Sequence, residues 1–182
     1  MPYREQPPLS IAALNAASPE DAVAMLAPVV ERSPWLARRL AGARPFADAA
    51  QLAALLRRTI MALSRDERLL LLRAHPELAP ATPETMTAAS QGEQGRLGLA
   101  HPSPAIAGRL SALNRQYSER FGYPFIIALH AMQDLDAVLA QFEGRLRNDP
   151  VEEMVQALSN VVSVATARLA RMTGGAAIGE AV

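Results

Sequence analysis

The chain has 182 residues and a mass of 19.5 kDa, and its 18 basic residues are all Arg, balanced by 18 Asp and Glu to a net charge of zero, with no Cys. The absence of Lys excludes a Schiff base, a pyridoxal-phosphate anchor, a P-loop and a lysine general base. The absence of Cys excludes a thiol nucleophile, a thiolate zinc site, iron–sulfur ligation and a disulfide framework.

Hydrophobic residues make up 50% and charged residues 20% of the chain, a balance that suits a folded protein of one domain with a single core. Zero net charge supplies no basic field, so no nucleic-acid partner is expected. The longest apolar run, 125–132, is interrupted by His130 and is too short to span a bilayer, so no membrane partner is expected either. The first six residues carry Arg4 and Glu5 ahead of Pro7-Pro8, unlike a signal peptide. Arg in place of every Lys, with abundant Ala, fits a GC-rich bacterial genome, and a cytoplasmic protein is the expectation.

In chain order, Ser18-Pro19-Glu20-Asp21 marks a helix start, with Val23, Leu26 and Val30 as its apolar line. Ser33-Pro34 repeats that signal ahead of Trp35 and Leu40. Over 46–63, Leu52, Leu55, Leu56 and Leu63 recur at helical spacing. Ser64-Arg65-Asp66-Glu67 is a capping box, and the helix behind it must end near His75 because Pro76 follows. A Pro-bearing loop is predicted over 77–87 and a short helix over 88–97. His101-Pro102-Ser103-Pro104 then opens a long helix with Leu110, Leu113, Tyr117 and Phe121 on one face and Gly122 as its C-cap. Further helices are predicted over 135–146 and from Pro150 to before Gly174-Gly175. The pattern is all-α, a single compact domain of about eight or nine helices, with its core over about 10–172 and a frayed tail from 173.

Four groups stand out chemically. His75 falls at a helix C-terminus, where free carbonyls favour imidazolium and hold its proton toward neutral pH. That position suits a helix cap and an acid/base catalyst alike. Ser90, Glu93, Gln94 and Leu97 lie at i, i+3, i+4 and i+7, a face of donors and acceptors with too few full charges for a solvated surface. Gly92 in the same helix would admit a ligand or another backbone. Arg168 continues the apolar line of the last helix, so its guanidinium needs either an acidic partner from another helix or a substrate oxygen. The connector from Gly122 through Tyr123, Pro124 and Phe125 to Ala128 is apolar and has backbone groups to offer a pocket. His101 and His130 have no carboxylate at ligand spacing from His75, so no metal site is expected.

His75-Pro76-Glu77-Leu78, then Ser90-x-x-Glu93-Gln94, then Leu113-Asn114-x-x-Tyr117-x-x-x-Phe121-Gly122-Tyr123-Pro124-Phe125-Ile126-Ile127, in this order, resemble the OHCU decarboxylase family. Glu31-x-Ser33-Pro34-Trp35, Arg145-Leu146-x-Asn148 and Arg168-Leu169 extend the similarity over most of the chain. The loop between His75 and Ser90 is slightly short, and His130 stands where many relatives carry Arg or Lys.

The resemblance implies an all-helical homodimer that decarboxylates 2-oxo-4-hydroxy-4-carboxy-5-ureidoimidazoline to (S)-allantoin and carbon dioxide without a cofactor, late in urate breakdown. It implies His75, Glu93 and Arg168 as catalytic groups, with Pro76, Ser90, Gln91, Gly92, Glu93, Gln94, Phe125, Ile126, Ile127, Ala128 and Leu129 around the substrate. His75 or Glu93 would deliver the final proton, read here as going to one face of C4. The competing expectation is a non-catalytic helical domain that uses the same polar face to bind a small anionic ligand or a partner helix.

Overall fold

The computed structural model describes residues 8–175, and among them the chain forms nine α-helices and three single 3-10 turns, with no strand. The all-α expectation holds. Residues up to 59 and from 165 onward make one packing unit, and residues 60–164 make a second.

In the first unit, α1 (Ile11–Ala16) was not foreseen from the sequence. It is a short helix that starts where the Ser10 hydroxyl accepts the Ala13 N–H, at 3.3 Å. Helix α2 (Pro19–Leu26) starts as expected, with Ser18 Oγ accepting the Asp21 N–H at 3.1 Å. It stops short of Val30 because Pro28 has no N–H to give, so the chain tightens into a 3-10 turn, Ala27–Val29. Helix α3 (Pro34–Ala41) packs on α2. Ser33 does not cap α3 with its hydroxyl, which donates instead to the Glu31 carbonyl at 2.8 Å.

Helix α4 (Ala49–Met61) starts later than the expected 46. The Asn15 amide holds both backbone groups of Phe46, at 2.9 and 2.7 Å, and Asp48 Oδ1 then accepts the Gln51 N–H at 2.8 Å as the true cap. Leu14, Leu26, Leu36, Leu40, Leu52, Leu56 and Leu169 are the fully buried leucines of this unit. Each contributes about 1.5–3 kcal/mol of apolar burial.

In the second unit, α5 (Arg65–Arg73) has the expected capping box, with Ser64 Oγ on the Glu67 N–H and the Glu67 carboxylate on the Ser64 N–H. Thr87 caps α6 (Ala88–Gly95), and Ser103 caps α7 (Pro104–Phe121). Helix α7 ends at Gly122, whose φ of 81° is a left-handed conformation that an L side chain would strain. Arg73 Nε donates to the Gly122 carbonyl at 2.8 Å. Asp134 caps α8 (Leu135–Arg145), and Asp149 caps α9 (Pro150–Met172), which runs on past 164 into the first unit. At the end of α9, Thr173 and Gly175 of the expected tail donate to the Leu169 and Ala170 carbonyls at 2.9 and 3.1 Å. The rest of that tail, 176–182, lies outside the described residues.

Candidate active site

The second unit holds every candidate site residue except Arg168. His75 follows the C-cap of α5, its own N–H donating to the Leu72 carbonyl at 3.2 Å. Its half-buried ring sets Nδ1 2.9 Å from the Leu71 carbonyl oxygen. A carbonyl only accepts, so Nδ1 carries a hydrogen. The sequence expectation of an imidazole set against the last helical carbonyls is met.

Beyond Pro76 the chain is held by amide side chains. Gln94 Nε2 donates to the Glu77 carbonyl and Gln94 Oε1 accepts the Ala79 N–H, both at 2.8 Å. Between them, Asn114 Nδ2 of α7 donates to the Leu78 carbonyl at 2.9 Å. Gln94 thus ties α6 to the loop that leaves His75.

Along α6, Ser90 and Gln94 are buried and Glu93 half-buried, so the face of donors and acceptors is turned inward. Leu97 falls past the end of the helix. Gln91 is exposed and spends its amide on the Met86 carbonyl, at 3.0 Å. Nothing among the described residues comes within 4 Å of where a Cβ on Gly92 would stand, so no other backbone uses the space this glycine leaves. Arg96, just after α6, donates through Nη2 to the carbonyls of Leu129 and Met132. The second of these bonds measures 2.9 Å.

Phe125, Ile126, Ile127, Ala128 and Leu129 are all buried, and their irregular backbone is held from several helices. Arg145 Nη1 donates to the Ile126 carbonyl and Asn160 Oδ1 accepts the Ala128 N–H, both at 2.8 Å. The same Arg145 forks onto Glu153, with Nη2 2.5 Å from Oε1 and Nε 3.0 Å from that oxygen, and its guanidinium lies 4.5 Å from the centre of the Phe125 ring. The Tyr117 hydroxyl and Asn148 Nδ2 also donate to the Glu153 carboxylate, which is 0% exposed. Burial, and then the bond to Glu153, push the Tyr117 phenol far above its ordinary ionisation range.

The three sequence-predicted pieces of this unit are therefore linked: the His75 loop to α6 through Gln94, and α6 to the connector through Arg96. Sequence reasoning missed Arg96, Glu153 and Asn160, which do much of the holding, and quoted Asn114 only within the family motif, without a role. Asn114 left the clearest signal, as an amide between Leu110, Leu113 and Tyr117 on the buried face of α7.

Arg168 belongs to the first unit, where it is 4% exposed and its Nη1 donates to Glu31 Oε2 at 2.8 Å. The acidic partner foreseen for it exists, but it sits in the turn ahead of α3 and not on a helix. His101 and His130 are exposed, and His130 Nε2 lies 3.2 Å from Ser163 Oγ. Among the described residues, no three His, Asp or Glu side chains gather closely enough to hold a metal ion, and no helix is long and apolar enough to cross a membrane.

A family model described as OHCU decarboxylase matches residues 15–170, a span that contains every motif above. The chain belongs to the OHCU decarboxylase family. It is 35% identical to the 2-oxo-4-hydroxy-4-carboxy-5-ureidoimidazoline decarboxylase of Haloferax volcanii over 162 residues, 89% of this chain and 95% of the relative. The enzyme of that name from Mus musculus is also 35% identical, covering 80% of this chain and 83% of its own. A crystal structure of OHCU decarboxylase in the presence of (S)-allantoin has the same helical fold, with a TM-score of 0.68 over 87% of this chain and 99% of that one at 20% identity. This OHCU decarboxylase family member is accordingly a carboxy-lyase by descent.

Proposed function

We propose that the protein decarboxylates 2-oxo-4-hydroxy-4-carboxy-5-ureidoimidazoline to (S)-allantoin and carbon dioxide without a cofactor, with His75 and Glu93 as its acid/base pair. One observation carries this reading. Gln94, next to Glu93, is bonded at both ends of its amide to the loop that leaves His75, which fastens the helix carrying Glu93 to the segment that follows the imidazole.

The substrate needs little help with electrons. C4 bears the hydroxyl and the departing carboxylate, and the neighbouring C5 bears the ureido group and a C=N bond. When the C4–carboxylate bond breaks, its electron pair forms C4=C5 and the C=N pair moves to nitrogen, which takes up a proton. The C4 hydroxyl then loses its proton to become a carbonyl, and C5 gains one. The stereocentre of allantoin is thus C5, and the final proton goes there rather than to C4, the carbon assigned from the sequence. In this reading His75 Nε2 takes the hydroxyl proton, and Glu93 serves the C5 face or the ring N–H groups.

Gln94 keeps one N–H and one lone pair beyond its loop bonds for the ureido group. Pro76, the Ser90–Gln94 stretch and Phe125 to Leu129 supply the walls. Arg168 enters on the family resemblance, as a fork for a carboxylate or carbonyl oxygen. The homodimer and the bacterial cytoplasm belong to the same reading and rest on that resemblance and on composition.

Circular dichroism of product formed from freshly generated substrate tests the reading. Spontaneous decay gives a racemate, whereas the enzyme should leave a lasting signal of one enantiomer. His75→Asn should slow that signal about 100-fold or more, the usual size of an acid/base contribution, at unchanged helicity. A racemic product with the parent protein would leave the non-catalytic binding domain as the better reading.

A further inference from the structure

The loop after His75 is anchored more heavily than a surface connector requires. Pro76 and Pro80 bracket it, and Ala79 holds a φ of 48°, a left-handed conformation that a non-glycine residue keeps only when its surroundings impose it. Three successive residues give a backbone group to a side-chain amide: the Glu77 carbonyl and Ala79 N–H to Gln94, and the Leu78 carbonyl to Asn114. Asn114 is 5% exposed on the apolar face of α7, and its Oδ1 is buried with no hydrogen-bond partner among the described residues. Reversing the amide would turn that oxygen against the Leu78 carbonyl, so the orientation is decided. A buried amide with one end unsatisfied adds little net stability, because the bond it makes to the Leu78 carbonyl is offset by the oxygen it strands. What the amide secures is one carbonyl, three residues beyond the imidazole.

We infer that Asn114 is a positioning residue for His75: by fixing Leu78 it lets Gln94 close on Glu77 and Ala79, and so sets where the imidazole stands relative to the α6 helix that carries Glu93. This rests on the reading of His75 and Glu93 as the acid/base pair.

Asn114→Leu in the full chain tests it, with turnover, thermal melting, amide exchange at Ala79 and the imidazole nitrogen shifts of His75 as readouts. The variant exchanges the stranded Asn114 oxygen for an unpaired Leu78 carbonyl, so it should melt close to the parent temperature. It should lose about 10- to 100-fold in kcat, the scale of a misplaced catalytic group, with KM changed less than about threefold. Ala79 exchange should speed up and the His75 shifts should move. Parent-like kcat in the folded variant overturns the inference, and so do an unchanged Ala79 amide and unchanged imidazole shifts. Should Asn114→Leu not fold, Asn114→Asp keeps the shape, turns the donor into an acceptor, and must give the same loss of kcat, faster Ala79 exchange and moved His75 shifts at a lower melting temperature. Failure of the underlying reading looks different: His75→Asn would then turn over like the parent protein. The shift and exchange measurements need no turnover and decide the positioning role even then.

Discussion

Tyr123 is 3% exposed, its ring edge-to-face with Tyr117 at 5.9 Å between centroids, and its hydroxyl makes no hydrogen bond of ordinary geometry among the described residues. Burial first, and the Glu153 carboxylate second, push its ionisation up from 10.0 to about 12. The folded protein therefore keeps a proton that the unfolded chain releases. Protons bound in the native state exceed those bound in the unfolded state across that window, so stability must fall as pH rises through it. Below about pH 10 both states are protonated, and the contribution is whole. Tyr117 shifts in the same direction, from burial and then its bond to Glu153. Tyr123→Phe removes one of these two loads, so its alkaline unfolding transition should lie at higher pH than that of the parent. Its melting temperature at neutral pH should be unchanged or slightly higher, because a buried oxygen without a partner costs about 1–3 kcal/mol. Melts recorded at neutral pH and through the alkaline transition check both halves, and coincident alkaline transitions would falsify the assignment. Nothing in Gly122-Tyr123-Pro124 announces this hydroxyl as buried: the tripeptide reads as a helix stop, and which way a ring leaves such a stop is decided by packing.

Helix starts were legible because a cap is a local event, a hydroxyl or carboxylate a few residues from the N–H it accepts. Ser18, Ser64 and Ser103 do this as read. The failures were local signals with more than one use. Ser33 gives its hydroxyl to Glu31 instead of a cap, and Phe46 is held out of α4 by Asn15, 31 residues away. The site was legible to the same degree. His75 and Ser90 to Gln94 stood out because their positions made poor sense as mere surface. Arg145 and Glu153 did not, since a basic residue in the last turn of α8 and an acid in the first turn of α9 already satisfy the helix dipoles. Their real work joins elements: the Glu153 carboxylate gathers Tyr117 of α7, Arg145 of α8 and Asn148 of the intervening turn. Glu153→Gln keeps the shape and strands the Arg145 charge, which is 5% exposed. Breaking a buried pair in this way costs about 3–5 kcal/mol, so melting should fall by roughly 6–20 °C. Differential scanning calorimetry measures this, and a drop under about 2 °C would mean the cluster is solvated.

At the scale of the whole molecule, the first unit is built from both ends of the described chain. Leu9 donates its N–H to the Met172 carbonyl at 2.6 Å, and Arg168 reaches Glu31 across 137 positions of sequence. Such a closure is invisible to any window of sequence; the inward direction of Arg168 could be read from the line of α9, but not the identity of its partner. The pair also gives the lack of Lys a local meaning. A guanidinium presents several donors in a fixed fork and can serve more than one partner, whereas an ammonium is a point charge on a flexible stem. Structural and catalytic duties of Arg168 can be separated with three variants. Arg168→Met and Glu31→Gln each leave one buried charge without its counterpart, and each should lower the urea midpoint by the equivalent of about 3–5 kcal/mol. Glu31→Leu combined with Arg168→Met removes both charges in favour of apolar groups, and should regain most of that loss. Turnover then decides the second duty. With Arg168 acting on the substrate, the double variant is stable yet slower by about 100-fold or more, in the range of a lost electrostatic contact to developing charge. A double variant that recovers both its midpoint and its rate would reduce Arg168 to the tie that closes the first unit.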